Sequence, residues 1–189
     1  MKKILITYFE PFGGEERNSS AQVGELLPAA IGGNRIEKLL LPVEFSRAAQ
    51  IAAEKAEEIG ADAVIALGQA GARKVITPEM AAINLRFASI PDNAGEKPQD
   101  EPVISGAPNA YFATLPVREM ARLINENGAP SALSYSAGVY VCNDLYFCLL
   151  HHFRESSVGV AFIHLPKEKE NLDASAMAKA MEKMIEIVF

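Results

Sequence analysis

The stretch Ala63-Val64-Ile65-Ala66-Leu67 carries no polar side chain. A short run of this kind is typical of a β-strand that is covered on both faces. Two further runs, residues 4–8 and 158–165, are similarly apolar. Strands buried on both faces occur in parallel sheets, whose crossover helices lie on either side. The sequence therefore predicts a central, mainly parallel sheet with helices on both faces.

Helical patterns separate these runs. Asn18-Ser19-Ser20 provides capping residues for a helix over 20–27, and Gly60 and Gly128 follow patterns over 46–59 and 117–127. The remaining predicted elements are strands over 36–43, 81–87 and 132–136, helices over about 142–154 and 174–187, and a loop over 68–74. An irregular stretch over 90–110 contains four prolines and two glycines, a composition and length typical of a lid, a subunit contact or a mobile segment. We predict one domain, residues 1–189, with a single-domain three-layer α/β/α fold and a mainly parallel central sheet.

The composition excludes several functional classes. The chain has 189 residues, a net charge of −6 and a pI of about 5.2, so it offers no basic face for nucleic acid. No apolar run approaches the ~20 residues that a membrane helix needs. Cys142 and Cys148 lie six residues apart in one predicted helix, on different faces, which makes a disulfide between them improbable. We expect a cytoplasmic protein.

The segments that follow the predicted strands are the candidate binding residues, because the crevice of a parallel sheet lies at the carboxyl ends of its strands. Phe9 and Phe12 follow the first strand in a loop that should be exposed to water. They either fill the core or form an apolar platform for a ligand, and the sequence does not decide between these alternatives. The glycine pair at 13–14 lacks the spacing of a phosphate-binding loop.

Cys142 stands where a small-residue turn gives way to a helix, and His164 closes the last predicted strand. A helix start favours a thiolate, and a nearby histidine is the usual base for a nucleophilic thiol. The alternative is that Cys142 only packs, as buried cysteines commonly do; Cys148, between two apolar residues, is expected to lie in the core. A serine nucleophile motif is absent from the sequence, and the adjacent pair His151-His152 diverges by about 100° on a helix, which does not suit a metal site.

Glu79 is the candidate third member of such a site, because a catalytic imidazole needs a partner that fixes its tautomer. It lies where a loop meets an apolar segment, an unfavourable place for an unpaired charge. The alternative is a capping carboxylate or a surface ion pair, and the residues alone favour that explanation.

Five blocks of the sequence, in order, resemble the pyroglutamyl peptidase I (pyrrolidone-carboxylate peptidase) family of cysteine exopeptidases. The blocks are Thr7-Tyr8-Phe9-Glu10-Pro11-Phe12-Gly13-Gly14; Leu67-Gly68-Gln69-Ala70-Gly71-Ala72-Arg73 with 79–84; Ile90-Pro91-Asp92-Asn93; 136–143; and Phe162-Ile163-His164-Leu165-Pro166. Together they span nearly the whole chain, and five ordered blocks are far more specific than any one.

The resemblance implies an α/β/α thiol exopeptidase that removes N-terminal pyroglutamyl residues from peptides, without a metal or cofactor. It implies a homo-oligomer, a tetramer or a dimer, and it places the catalytic triad on Glu79, Cys142 and His164. The substrate-binding positions that it implies are Phe9, Phe12, Asn18, Gln69, Ile90, Tyr140 and Val141.

Three residues depart from the family pattern. Tyr8 and Ala72 stand where the family usually has glycine, and Ser89 stands where an arginine near the reacting carbonyl is common. We expect Tyr8 to alter the pocket beside Phe9, and Ser89 to remove a charge from the site. These departures keep two alternatives open: a thiol hydrolase that acts on a different blocked amide, and a non-catalytic homologue that only binds such ligands.

Overall fold

The computed structural model describes residues 1–169 and 172–189. Within this part the chain forms ten strands: β1 (Lys3–Phe9), β2 (Ala30–Ile31), β3 (Asn34–Leu41), β4 (Ala63–Gln69), β5 (Thr77–Pro78), β6 (Ala81–Ile83), β7 (Arg86–Phe87), β8 (Gln99–Glu101), β9 (Ala110–Phe112) and β10 (Gly159–Leu165). The same residues form five helices: α1 (Ser19–Leu26), α2 (Arg47–Ile59), α3 (Val117–Glu126), α4 (Val141–His152) and α5 (Ala174–Val188).

Six of these strands form the central sheet, in the order β2-β3-β1-β4-β10-β5. The four long strands β3, β1, β4 and β10 are mutually parallel, and β2 and β5 pair antiparallel at the two edges. The apolar stretch at 63–67 lies in β4, between β1 and β10, and is fully buried. Its position at the centre of the sheet explains why it carries no polar side chain.

Helices cover both faces of this sheet. Apolar residues of α1, α3 and α5 pack on one face together with Ile4, Ile6 and Tyr8, whereas those of α2 and α4 pack on the other with Leu5 and Phe9. Alternate residues of β1 thus enter different cores, as the pleat of a strand requires. The three-layer α/β/α prediction is confirmed.

Two local predictions are wrong. The predicted strand over 81–87 is divided into β6 and β7, which pair with β9 and β8 in two separate small sheets. The chain turns at the break, where Leu85 N donates to Ile83 O at 2.9 Å. The buried Asn143 side chain binds the backbone groups that face away from β9: its Oδ1 accepts from Ile83 N at 2.9 Å, and its Nδ2 donates to Ile83 O at 2.8 Å and Leu85 O at 3.1 Å.

The predicted strand over 132–136 is replaced by isolated bridges. Ala132 N donates to Ile76 O at 3.0 Å and Ser134 N to Pro78 O at 2.9 Å, but a continuous parallel ladder would also need an N–H from residue 78. Pro78 has none, so the ladder is interrupted. The predicted loops also contain short regular elements: β4 extends to Gln69, and β8 lies within 90–110.

No helix among the described residues has the length and apolar content needed to span a bilayer.

Candidate active site

The site lies at the carboxyl ends of the parallel strands. Phe9 ends β1, Gln69 ends β4, and His164 is the penultimate residue of β10. In the β4–β10 register His164 pairs with Gly68 and Leu165 with Gln69, so both strands end at the same level. The sheet therefore brings together side chains that are far apart in the sequence, as expected for a crevice of this fold.

Glu79 and His164 form a buried pair. Nδ1 of His164 lies 2.6 Å from Oε1 of Glu79, and both side chains are buried. An ionised carboxylate can only accept hydrogen bonds, so the imidazole proton is on Nδ1. Nε2 is then the nitrogen that carries the lone pair, as a general base requires.

The backbone of Glu79 is also held in place. Its N–H donates to Phe162 O at 2.8 Å, and the hydroxyl of the fully buried Tyr146 donates to its carbonyl at 3.1 Å. Tyr146 is one helical turn after Cys142 on α4, so the two side chains share a helix face. The helix that carries the thiol thus also fixes the position of the carboxylate.

Arg73 is a site residue that had no role in the predictions from the sequence. Its Nη1 donates to Glu79 Oε1 and to Thr77 Oγ1, and its Nη2 donates to Ser136 O at 3.2 Å. The guanidinium and His164 thus share one carboxylate oxygen of Glu79. The available signal was a single cation six residues before Glu79 in a motif block, which does not distinguish a site residue from a surface charge.

Cys142 is the second residue of α4, directly after Val141, so its predicted place at a helix start is confirmed. Backbone N–H groups in a first helical turn have no acceptor within the helix. The thiol lies against β4, because a Cβ added to Gly68 would be 2.9 Å from Cys142 Sγ.

The protonation states differ from the expected thiolate. Burial raises the pKa of the Cys142 thiol to about 12, with a further contribution from the charge of Glu79. Burial also lowers the pKa of His164 below its ordinary value, and the hydrogen bond to Glu79 offsets this only in part. At neutral pH the resting pair is therefore a neutral thiol and a neutral imidazole, since desolvation outweighs the helix start.

An apolar slot adjoins the thiol. Its lining comprises Phe9, Phe12, Asn18, Val43, Gln69, Tyr140, Val141 and Cys142. Six of the seven residues expected to bind substrate therefore lie together; the seventh, Ile90, lies in a neighbouring cleft. The slot has a volume of about 10 Å³, room for about one water molecule.

The side chains that line the slot differ in burial and in their hydrogen bonds. Phe9 is buried, whereas Phe12 is half-buried and lies 6.1 Å from the Tyr140 ring, between centroids. Asn18 caps α1, accepting from Ser20 N at 3.0 Å and donating to Glu10 O at 2.9 Å. Gln69 Oε1 accepts from Ser19 N at 2.9 Å. The amide groups of Asn18 and Gln69 therefore shape the slot while already bonded within the protein.

A second, wider cleft of about 330 Å³ shares the thiol with the slot. We call it the open cleft; among its lining residues are Phe87, Ser89, Ile90, Val139, Cys142 and His164. Cys142 and His164 thus line one cleft, and Glu79 lies behind the imidazole.

The expectation for Tyr8 is wrong. Its ring enters the core beneath α1, on the opposite face of β1 from Phe9, where a Cβ on Gly24 would approach within 2.2 Å of Tyr8 Cδ1. It therefore has no part in the slot. Ser89 does line the open cleft, and Ala72 is exposed in the turn after β4.

Within the described ranges, His, Cys, Asp and Glu form no group of three or more arranged to hold a metal ion.

Comparisons with known proteins identify the family of this chain. The sequence model of the family Pyroglutamyl peptidase matches residues 2–185. A pyrrolidone-carboxylate peptidase from Thermococcus kodakarensis is 43% identical, over 99% of this chain and 96% of its own length. One from Caldanaerobacter subterraneus is 41% identical, over 98% of this chain and 97% of its own.

Solved structures give the same result. The crystal structure of pyroglutamyl peptidase I from Bacillus amyloliquefaciens superposes with a TM-score of 0.92 at 36% identity, covering all of this chain and 97% of that one. Pyrrolidone carboxyl peptidase from Thermococcus litoralis gives a TM-score of 0.93 at 36% identity, covering all of this chain and 93% of that one.

Proposed function

Since the chain belongs to the pyroglutamyl peptidase family, we propose that it removes N-terminal pyroglutamyl residues from peptides. In this proposal Cys142 is the nucleophile, His164 is the general base and acid, and Glu79 orients the imidazole. The observation that supports this assignment best is the 2.6 Å contact between Glu79 Oε1 and His164 Nδ1. The same imidazole lines the cleft that contains Cys142, which is the only thiol at a helix start in the described chain.

The reaction begins from neutral partners. Cys142 Sγ attacks the carbonyl carbon that joins the pyroglutamyl group to the next residue. In the same step Nε2 of His164 accepts the thiol proton, and Glu79 stabilises the imidazolium that forms. The imidazolium then donates this proton to the leaving amine as the C–N bond breaks. Water, activated by the same imidazole, hydrolyses the remaining thioester and restores the thiol.

The first turn of α4 supplies stabilisation for the oxyanion. The N–H groups of this first turn have no acceptor within the helix, and that of Cys142 interacts with its own thiol, so they can stabilise the charge that develops on the acyl carbonyl oxygen. No metal or cofactor is required for this chemistry.

The slot suits the acyl group. Pyroglutamate is an uncharged lactam without a free amine, so an apolar slot beside the thiol selects it better than an acidic anchor would. Phe9 forms the fixed wall, and the half-buried Phe12 forms the wall that can move. The lactam ring enters as Phe12 turns aside, because the slot is nearly filled by its own side chains.

The proposal extends to the setting of the enzyme. Its partners are peptides with an N-terminal pyroglutamate and further copies of the chain, in a tetramer or a dimer. It works in the cytoplasm and binds neither nucleic acid nor a membrane surface. The net charge of −6 supports the exclusion of nucleic acid.

A fluorogenic pyroglutamyl amide tests the proposal against other acyl amides. We expect turnover of the pyroglutamyl amide alone, its loss in Cys142→Ala, and its retention in the matched variant Cys148→Ala. Preference for another acyl group would indicate a hydrolase with a changed substrate, and binding without turnover would indicate a non-catalytic homologue.

A further inference from the structure

The open cleft has two walls that are tied to each other. Phe87, Ser89 and Ile90 form one wall, and residues 137–140 form the other. Phe87 N donates to Val139 O at 2.9 Å, and the Tyr140 hydroxyl donates to Pro91 O at 3.0 Å. Two hydrogen bonds therefore hold the walls of the cleft together.

The position of His164 distinguishes the cleft from the slot. Cys142 lines both spaces, but His164 lines only the open cleft. The imidazole must reach the leaving nitrogen, while the acyl group fills the slot, which His164 does not line. The leaving nitrogen, and the residue attached to it, must then lie in the open cleft.

The side chains of the cleft determine which residue it accepts. Phe87 and Ile90 are 38% and 43% exposed, so both offer apolar surface to a ligand in the cleft, and Val139 lines it with them. The polar lining side chains are those of Ser89, Gln69, Tyr140 and the catalytic pair, and among the described residues no side chain with a fixed charge lines the cleft. A charged residue placed there would lose hydration without gaining an opposite charge.

We propose that the open cleft binds the side chain of the residue that follows pyroglutamate, and that Phe87 and Ile90 make the enzyme prefer peptides in which this second residue is apolar. This inference rests on the proposed function, because it concerns the leaving half of the same substrate.

Three substrates that differ only in the second residue test this preference: the amides of pyroglutamyl-leucine, pyroglutamyl-glycine and pyroglutamyl-aspartate. We expect kcat/KM for the leucine compound to exceed that for glycine by roughly five- to tenfold, as partial burial of an aliphatic side chain allows. The aspartate compound should be the poorest of the three.

Phe87→Ser is the informative variant. It should reduce the leucine-to-glycine ratio at least threefold, while Phe112→Ser should leave the ratio unchanged. Phe112 is a matched control, since it is 69% exposed on β9 and lines neither the slot nor the open cleft.

The outcomes separate the two proposals. Equal kcat/KM for all three amides, with the fluorogenic substrate still cleaved, would overturn the inference and leave the proposed function intact. The inference would also be overturned if Phe87→Ser changed the oligomer mass measured by sedimentation but left the leucine-to-glycine ratio of kcat/KM unaltered. Phe87 would then belong to a subunit contact. No hydrolysis of any pyroglutamyl compound would overturn both.

Discussion

At the scale of single residues, one carboxylate oxygen has two partners. Oε1 of Glu79 accepts from both His164 and Arg73, while Oε2 is buried without a hydrogen-bond partner in the described structure. The positive charge of Arg73 partly offsets the negative charge of the oxygen that contacts the imidazole. Arg73 therefore opposes part of the effect of Glu79 on His164 and, through Ser136 O, also links the carboxylate to the loop before Cys142.

This arrangement predicts a change in pH dependence for Arg73→Gln. The charge of Arg73 lowers the pKa of His164, so its removal should raise that pKa. Because the protonated imidazole cannot act as a base, the acidic limb of kcat/KM should move to higher pH. Arg73→Lys should restore most of the original profile, and the surface variant Arg118→Gln should not change it. An acidic limb that stays in place in Arg73→Gln would show that Arg73 only holds the loop.

The two cysteines provide a second test at this scale. Burial raises the pKa of both thiols to about 12, so the resting thiolate fraction does not distinguish them. Cys142 shares the open cleft with His164, whose imidazole is held by the buried Glu79. Cys148 lines a different cleft with His151 and His152, whose ring nitrogens contact Tyr111 and Glu57 instead. Brief iodoacetamide treatment followed by mass-spectrometric mapping should therefore label Cys142, and His164→Ala should suppress this labelling. Preferential labelling of Cys148 would contradict the assignment of the nucleophile.

At the scale of elements, β4 fits closely under the first turn of α4. A Cβ added to Gly68 would lie 2.7 Å from Phe162 Cζ and 2.9 Å from Cys142 Sγ. Phe162 is fully buried and cannot yield. The absence of a side chain at residue 68 thus lets the strand and the thiol approach each other.

Gly68→Ala should consequently impair both stability and catalysis. Overpacking of this kind costs about 1–3 kcal/mol of unfolding free energy, and the displaced thiol should lower kcat more than it raises KM. Gly71→Ala is the matched control, because its new Cβ would meet only the flexible Lys167 side chain, at 3.0 Å. Thermal unfolding and steady-state kinetics measure the two effects; a fully active Gly68→Ala enzyme would show that the thiol tolerates displacement.

The sequence predicts the elements of this fold where local signals act alone. The apolar run in β4, the Asn18 cap of α1 and the left-handed Gly60 after α2 all depend on neighbouring residues. It fails where a distant group intervenes: the chain turns between β6 and β7 where Asn143 binds Ile83 and Leu85, and Pro78 interrupts the ladder along 130–134. Neither effect is visible without knowing which segments are adjacent.

The site follows the same rule. Cys142 and His164 could be proposed from their local context, whereas Glu79 needed the family resemblance, and Arg73 was found only from its contacts. The pKa of Cys142 could not be inferred either, because the helix start is local but the burial that outweighs it arises from the packing of β4, β10 and α4.

At the scale of the whole molecule, one face of the sheet carries the candidate site and the other face carries only a hydrophobic core. Its face under α2 and α4 carries Phe9 and the thiol helix, and its face under α1, α3 and α5 contains a core without reacting groups. Adjacent residues on β1 therefore have unrelated roles. Phe9 belongs to the slot, whereas Tyr8 fills the space that Gly24 leaves on α1.

This separation predicts that Tyr8 and Gly24 are coupled in stability and not in catalysis. Tyr8→Ala should lower the unfolding free energy by about 3–5 kcal/mol, as for other large buried aromatics, with KM unchanged within about twofold.

Gly24→Ala alone should also destabilise the protein, because its Cβ would lie 2.2 Å from Tyr8 Cδ1. In the Tyr8→Ala background that clash is gone, and the higher helix propensity of alanine should make Gly24→Ala neutral or stabilising by up to ~1 kcal/mol. A double-mutant cycle in urea measures this coupling, which we expect at about 1–3 kcal/mol. Strict additivity would show that the helix moves away from the ring at no cost, and a large rise in KM for Tyr8→Ala would mean that the two faces of the sheet are not independent.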